Sequence, residues 1–147
     1  MTAKVFVDSN VLIYAHNADA GEKRSLAAGL LRDLWAERRG CLSSQVLQEF
    51  YVNVTRKIRK PLTRAAAREV VRNYASWVEQ AITPSTIVRA SEIEELAQLS
   101  FWDSLIVAAA EAQRAREIAS EDLQDGQLIA GIRVRNPFVQ DNRATRK

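Results

Sequence analysis

The chain opens on Lys4-Val5-Phe6-Val7-Asp8, a short β-branched and aromatic run that reads as a buried strand, and Ser9 or Asn10 then offers an N-cap for a helix over 11–15. The same alternation continues. Leu26, Leu30, Leu31 and Leu34 recur at helical spacing across 22–39, Gly40 is placed to stop that helix, and the apolar 41–43 follows as a second strand. Ser43 or Ser44 caps a third helix with Val46, Leu47, Phe50, Tyr51 and Val54 on one face, ending before Pro61. Thr63 caps a fourth helix to about 77, and 81–82 forms a minimal third strand. Pro84 opens a helix to about 99, and a strongly apolar helix runs from Trp102. Residues 116–120 and 131–138 supply the last two strands. Short connections between alternating strands and helices predict one α/β domain over 1–138, built on a largely parallel sheet flanked by helices, with 139–147 as a basic tail.

Composition narrows the class. The 147 residues are 47% hydrophobic and 27% charged, an ordinary globular mix that argues against disorder. Cys41 is the only cysteine and cannot close an internal disulfide. No stretch approaches the roughly 18 apolar residues of a membrane span, and the N-terminus lacks the apolar region of a signal peptide, so a cytoplasmic protein is expected. The net charge of +3 is carried by Arg143, Arg146 and Lys147. Within the body, Arg56, Lys57, Arg59, Lys60, Arg64, Arg68 and Arg72 face Glu69 alone across 50–73, and Arg64, Arg68 and Arg72 share one helical stripe. Such a cluster attracts a polyanion by releasing counterions, yet by itself it reads as a solvated face.

In an open α/β sheet, ligands bind beyond the carboxyl ends of the strands. Four acids fall at such places: Asp8 ends the first strand, Glu49 lies early in the helix after the second, Asp103 opens the late helix, and Asp122 follows 116–120. Converging carboxylates repel unless a divalent cation neutralises them, and an all-oxygen set suits Mg²⁺ or Mn²⁺ over zinc. Such an ion can lower the pKa of a bound water and support phosphodiester hydrolysis. Each acid also has a plainer reading. Asp8 and Asn10 can cap a helix, Glu49 can be solvated, and the loop 120–126 can be a polar connection in which either Asp122 or Asp125 points inward. Asp103 favours function, because a charge beside Trp102 and an apolar helix is costly without a partner. His16 reads as structural, and Trp102 as core.

The blocks V-D-S-N-V-L-I-Y, S-x-x-V-L-Q-E-F-Y, L-S-F-W-D-S-L-I-V-A-A-A and I-A-S-E-D-L-Q-D-G-Q, in that order across 4–138, resemble PIN-domain ribonucleases, in particular the VapC-type toxins of toxin–antitoxin pairs. The resemblance implies a Rossmann-like three-layer sandwich with strand order 3-2-1-4-5. It further implies Mg²⁺- or Mn²⁺-dependent endoribonuclease activity, a small cognate antitoxin and a homodimer. It carries the metal-ligand role to Asp8, Glu49, Asp103 and Asp122, with Asp125 sharing or replacing the last, and a supporting role to Ser9, Asn10 and Ser120. Under that reading Arg56, Lys57, Arg64, Arg68 and Arg72 guide an RNA backbone. The rival readings are a non-catalytic RNA- or partner-binding module, a haloacid-dehalogenase-type phosphatase, and a DNA flap nuclease. The phosphatase needs a second aspartate where Asn10 stands, and the flap nuclease needs long insertions that this chain lacks.

Overall fold

A computed structural model describes residues 3–139, so apart from Val139 the expected basic tail lies outside the described residues. The first strand, β1 (Val5–Val7), is buried along its whole length and leads into α1 (Ser9–Ala15). The cap of α1 is Asp8 itself, which accepts from the Ser9 amide and so supplies the partner that an orphan helix N–H requires. After α2 (Glu22–Glu37) the chain turns at Arg38 in the left-handed region, φ 56°, not at Gly40. Gly40 begins β2 (Gly40–Cys41), where a Cβ would lie 2.3 Å from the Trp77 ring: glycine is required there for close packing and not as a helix stop.

Ser43 caps α3 (Ser44–Val52), which continues through a π-helical turn, Asn53–Lys57. Thr63 caps α4 (Arg64–Tyr74), followed by a 3₁₀ turn, Ala75–Trp77. Then come α5 (Pro84–Ala97), with its proline in the first turn, and α6 (Phe101–Ala112), capped by Ser100 and buried continuously from Ser104 to Ala110. The remaining strands are β3 (Glu117–Ala119), β4 (Leu128–Ile129) and β5 (Ile132–Arg135).

The five strands form one sheet in the order β2-β1-β3-β5-β4, parallel except for the β4–β5 hairpin. This corrects the expected 3-2-1-4-5 order at both edges, where the third expected strand is absent and a hairpin strand is added, while keeping the run 2-1-4-5 as β2-β1-β3-β5. Residues 81–82 form no strand. The chain instead passes β2 with a single backbone bond, Leu42 N to Trp77 O at 3.0 Å. The ladder ends there because the Glu79 amide turns to the Gln113 side chain, 2.7 Å away. At the other edge β4 is added by a tight hairpin through Ala130 and Gly131, both at positive φ.

Phe6, Leu12, Phe50, Val107 and Ile118 are completely buried around this sheet, each stabilising the fold by about 1.5–3 kcal/mol. The topology also fixes where a ligand would sit. From β1 the chain first moves outward to β2 and later returns to the opposite side of β1 as β3, so the connections diverge between β1 and β3. The crevice at that divergence, beyond the carboxyl ends of the strands, is where open α/β sheets bind. Among the described residues, no helix is long and apolar enough to cross a membrane.

Candidate active site

Asp8 and Ser120 leave the carboxyl ends of β1 and β3, neighbouring strands in register from Val5 with Glu117 to Val7 with Ala119. The Asp8 amide continues the ladder to Ala119 O at 3.0 Å, and this places the Asp8 side chain against that of Ser120. Asp8 is 3% exposed. Its Oδ1 accepts from the Ser9 amide at 2.7 Å, and its Oδ2 accepts from the Ser120 hydroxyl at 2.7 Å. Burial pushes its carboxyl up to about 6 from 3.8; the two hydrogen bonds oppose the rise, and the charges of Asp122 and Glu49 add to it.

Neutral donors stand between the acids. Asn10 Nδ2 reaches Asp8 Oδ2 at 3.4 Å, Asp122 Oδ2 at 3.3 Å and Ser120 Oγ at 3.4 Å, while its Oδ1 accepts from the Glu121 amide at 3.1 Å. Ser120 Oγ in turn accepts from the Asp122 amide at 3.1 Å. The serine and asparagine thus shape the loop that carries Asp122. Both oxygens of Glu49 are held, Oε2 by the Ser9 hydroxyl at 2.7 Å and Oε1 by Gln45 Nε2 at 2.9 Å. Asp103 sits half-buried in the first turn of α6, its amide donating to the capping Ser100 hydroxyl at 3.1 Å. That Gln45 nitrogen also donates to the Trp102 carbonyl at 3.3 Å, linking Glu49 to the helix start that carries Asp103.

The structure therefore brings Asp8, Glu49 and Asp122 into electrostatic contact, and Gln45 joins Glu49 to the Trp102 carbonyl, one residue before Asp103. Asp125 is directed elsewhere: its Oδ1 accepts from the Asn136 amide at 2.9 Å, beyond the end of β5. Glu121 also points away, toward Tyr14 and Lys23. Burial disfavours the Glu121 charge, but hydrogen bonds from Lys23 and Tyr14 outweigh it and hold the carboxyl below its ordinary value. Among the described residues, no three His, Cys, Asp or Glu side chains stand close enough to share one ion. The donor set is nonetheless all oxygen and carries mutual carboxylate repulsion, which is the chemistry that a hard divalent cation relieves.

Burial separates Trp102 from Cys41. Trp102, expected in the core, is 65% exposed and packs edge-on against Phe101 at 5.3 Å, because the buried face of α6 starts only at Ser104. Cys41 is completely buried, and burial pushes its thiol up to about 12, which removes it as a nucleophile. His16 is structural: Nδ1 meets the Leu12 carbonyl at 2.9 Å, and the ring lies edge-on to Phe50. Arg56, Lys57, Arg64, Arg68 and Arg72 are all exposed on α4 and the turn before it. Arg68 and Arg72 border an apolar groove of about 530 Å³ between α3 and α4, floored by Leu47, Tyr51, Val52 and Val71. Gln45 was not legible as a site residue, although its four-residue spacing from Glu49 on a helix is the signal that would have marked it.

The fold has solved counterparts. A toxin–antitoxin complex from Klebsiella pneumoniae superposes with a TM-score of 0.65 at 19% identity, covering 92% of this chain and 98% of that one. DNA-bound VapBC from Salmonella typhimurium gives 0.62 at 20%, covering 92% and 99%. Mycobacterium tuberculosis VapC20, a toxin that cleaves the sarcin–ricin loop, gives 0.59 at 20%, covering 81% and 90%. At these identities the likeness is one of fold. No curated protein matches the sequence. The sequence profile described as PIN domain matches residues 5–124, from the first residue of β1 past Asp122, and so includes Asp8, Glu49, Asp103 and Asp122: the chain belongs to the PIN domain family.

Proposed function

We propose that this chain is a metal-dependent endoribonuclease that hydrolyses RNA phosphodiesters, and that it is the VapC-type toxin of a toxin–antitoxin pair. The observation that carries the reading is the Asp8 carboxyl, pushed up to about 6 in a buried position where Glu49 and Asp122 add to the rise. Such crowding costs stability and is kept where charge is used in chemistry. Asp8, Glu49, Asp103 and Asp122 would hold Mg²⁺ or Mn²⁺, with Ser9, Asn10 and Ser120 orienting the carboxylates through their hydrogen bonds. A bound divalent cation supplies charge neutralisation at the phosphate and an acidified water.

The protein's own residues do the rest. Asn10 holds Asp8 and Asp122 in one frame, and Ser9 and Gln45 fix the Glu49 carboxylate from opposite oxygens. Exposed Trp102, one residue before Asp103, offers a face for an unstacked base, the usual handle for single-stranded RNA. Arg56, Lys57, Arg64, Arg68 and Arg72 offer phosphate contacts. The antitoxin is proposed to be a small protein with an acidic amphipathic segment, which would satisfy the apolar floor of the α3–α4 groove together with Arg68 and Arg72. Exposed Val88 and Leu96 on α5 supply apolar surface for a homodimer, which light scattering of the isolated chain would detect.

The direct assay is cleavage of end-labelled RNA in Mg²⁺ or Mn²⁺, with EDTA and Asp103→Asn as controls. Products that vanish in both controls support the reading. Cleavage that survives either one removes the metal or the assigned acid from the mechanism.

A further inference from the structure

Gln45 is 94% buried, counted from its residual 6% exposure, yet its Oε1 is the only buried side-chain nitrogen or oxygen among the described residues that lacks a hydrogen-bond partner. Turning the amide over would not help. It would set Oε1 against Glu49 Oε1 and the Trp102 carbonyl, two acceptors that now take their bonds from Nε2. The neighbours therefore dictate the orientation, and no protein group satisfies Oε1, a cost set against the two bonds that Nε2 donates. An apolar side chain of similar volume would avoid that cost. What it could not supply is the one nitrogen that meets Glu49 on α3 and the first turn of α6 together.

We infer that Gln45 is a positioning residue, which fixes the Glu49 carboxylate and holds the Asp103-bearing start of α6 in register with it. Its partner in this task is Ser9, which holds the other Glu49 oxygen at 2.7 Å, so the carboxylate is bonded at both oxygens. The two bonds reach from α1 and from within α3, while the bond to Trp102 O carries the constraint to α6. The inference rests on the proposed metal-dependent reading for its functional meaning, but its structural half does not.

The test uses the full chain with Gln45→Met, and Gln45→Leu as a second substitution in case Met packs badly. Three readouts are compared with wild type: melting temperature in EDTA, hydrogen exchange of the Ser104 and Leu105 amides in EDTA, and Mn²⁺ affinity by calorimetry. The expected result is a cooperative melting transition, faster exchange confined to the first turn of α6, and Mn²⁺ affinity weakened about 10- to 100-fold, the range for outer-sphere partners of metal ligands. A lowered melting temperature with unchanged exchange at Ser104 and Leu105 would overturn the inference and make Gln45 an ordinary packing residue. Unaltered Mn²⁺ affinity in a variant whose α6 start has loosened would overturn its functional half. If wild type itself binds no Mn²⁺, the proposed function fails, and the exchange measurement in EDTA still decides whether Gln45 positions the helix.

Discussion

The Ser120 hydroxyl donates to Asp8 Oδ2 at 2.7 Å across the β1–β3 pair and accepts from the Asp122 amide at 3.1 Å. One buried hydroxyl thus lowers the pKa of the first acid and positions the fourth. Ser120→Ala removes both effects. The Asp8 carboxyl should rise further above about 6, visible by carbon NMR, and cleavage should need a higher pH. An Asp8 titration that does not move would show that the hydroxyl contributes nothing to this carboxyl.

Asp8 itself gives stability an unusual sign. Its carboxyl lies at about 6 when folded and 3.8 by default, so between those values the folded chain binds a proton that the unfolded chain has lost. Stability therefore falls as pH rises through this window, and above about 6 the full penalty applies, on the order of 3 kcal/mol. Asp8→Asn removes it. The variant should be more stable than wild type at pH 7.5 by up to that amount, with the gain gone by pH 4 in denaturant titrations. Equal gain at both pH values would mean that the effect is packing and not charge.

Divalent cations should relieve the same repulsion. Mn²⁺ is expected to raise the melting temperature of wild type, since a ligand that binds the folded state alone stabilises it. The rise should be small or absent in Asp8→Asn and in Asp103→Asn. A wild-type melting curve indifferent to millimolar Mn²⁺ and Mg²⁺ would count against the metal assignment.

The basic stripe can be separated from the acids by salt. Arg64→Ala combined with Arg68→Ala should weaken RNA binding and reduce the slope of log affinity against log salt by about 0.7 for each single-strand phosphate that the arginines no longer neutralise. Binding in the Asp103→Asn background avoids cleavage during the titration. An unchanged slope returns α4 to a solvated face or leaves it to a protein partner.

Trp102 makes a different demand. If a base stacks on its exposed indole, Trp102→Ala should cost about 1–3 kcal/mol of RNA affinity while Trp102→Phe retains most of it. Equal losses in both variants would point to a packing defect at the start of α6.

Much of the site was legible because its residues sit where backbone rules put them. Asp8 ends an apolar run and caps the next helix, and Asp103 is a lone charge in front of a buried helix capped by Ser100. The choice between Asp122 and Asp125 was not legible, since both lie in one polar loop; in the structure Asp122 meets Asn10 and Ser120, while Asp125 accepts from the Asn136 amide. The strand at 81–82 failed because Ala81 is a poor strand former and the Glu79 amide just before it is taken by the Gln113 side chain and not by β2. The β4–β5 hairpin was missed because its turn uses Ala130 at φ 50° before Gly131, where an Asn-Gly pair would have announced it. Trp102 was misplaced because hydrophobicity along α6 says nothing of which end the core begins at. The four-residue spacing of Gln45 and Glu49 displays only their contact within α3, whereas the bond from Gln45 to the Trp102 carbonyl is tertiary and leaves no mark in the spacing.

The most direct test of the central claim is to incubate total RNA with the purified chain in Mg²⁺ or Mn²⁺ and map new ends, alongside EDTA and Asp103→Asn. Discrete new ends that require both the cation and Asp103 are predicted, and their positions would name the target. An absence of ends from folded protein freed of any bound partner, or ends that persist in Asp103→Asn, would contradict an endoribonuclease built on these four acids.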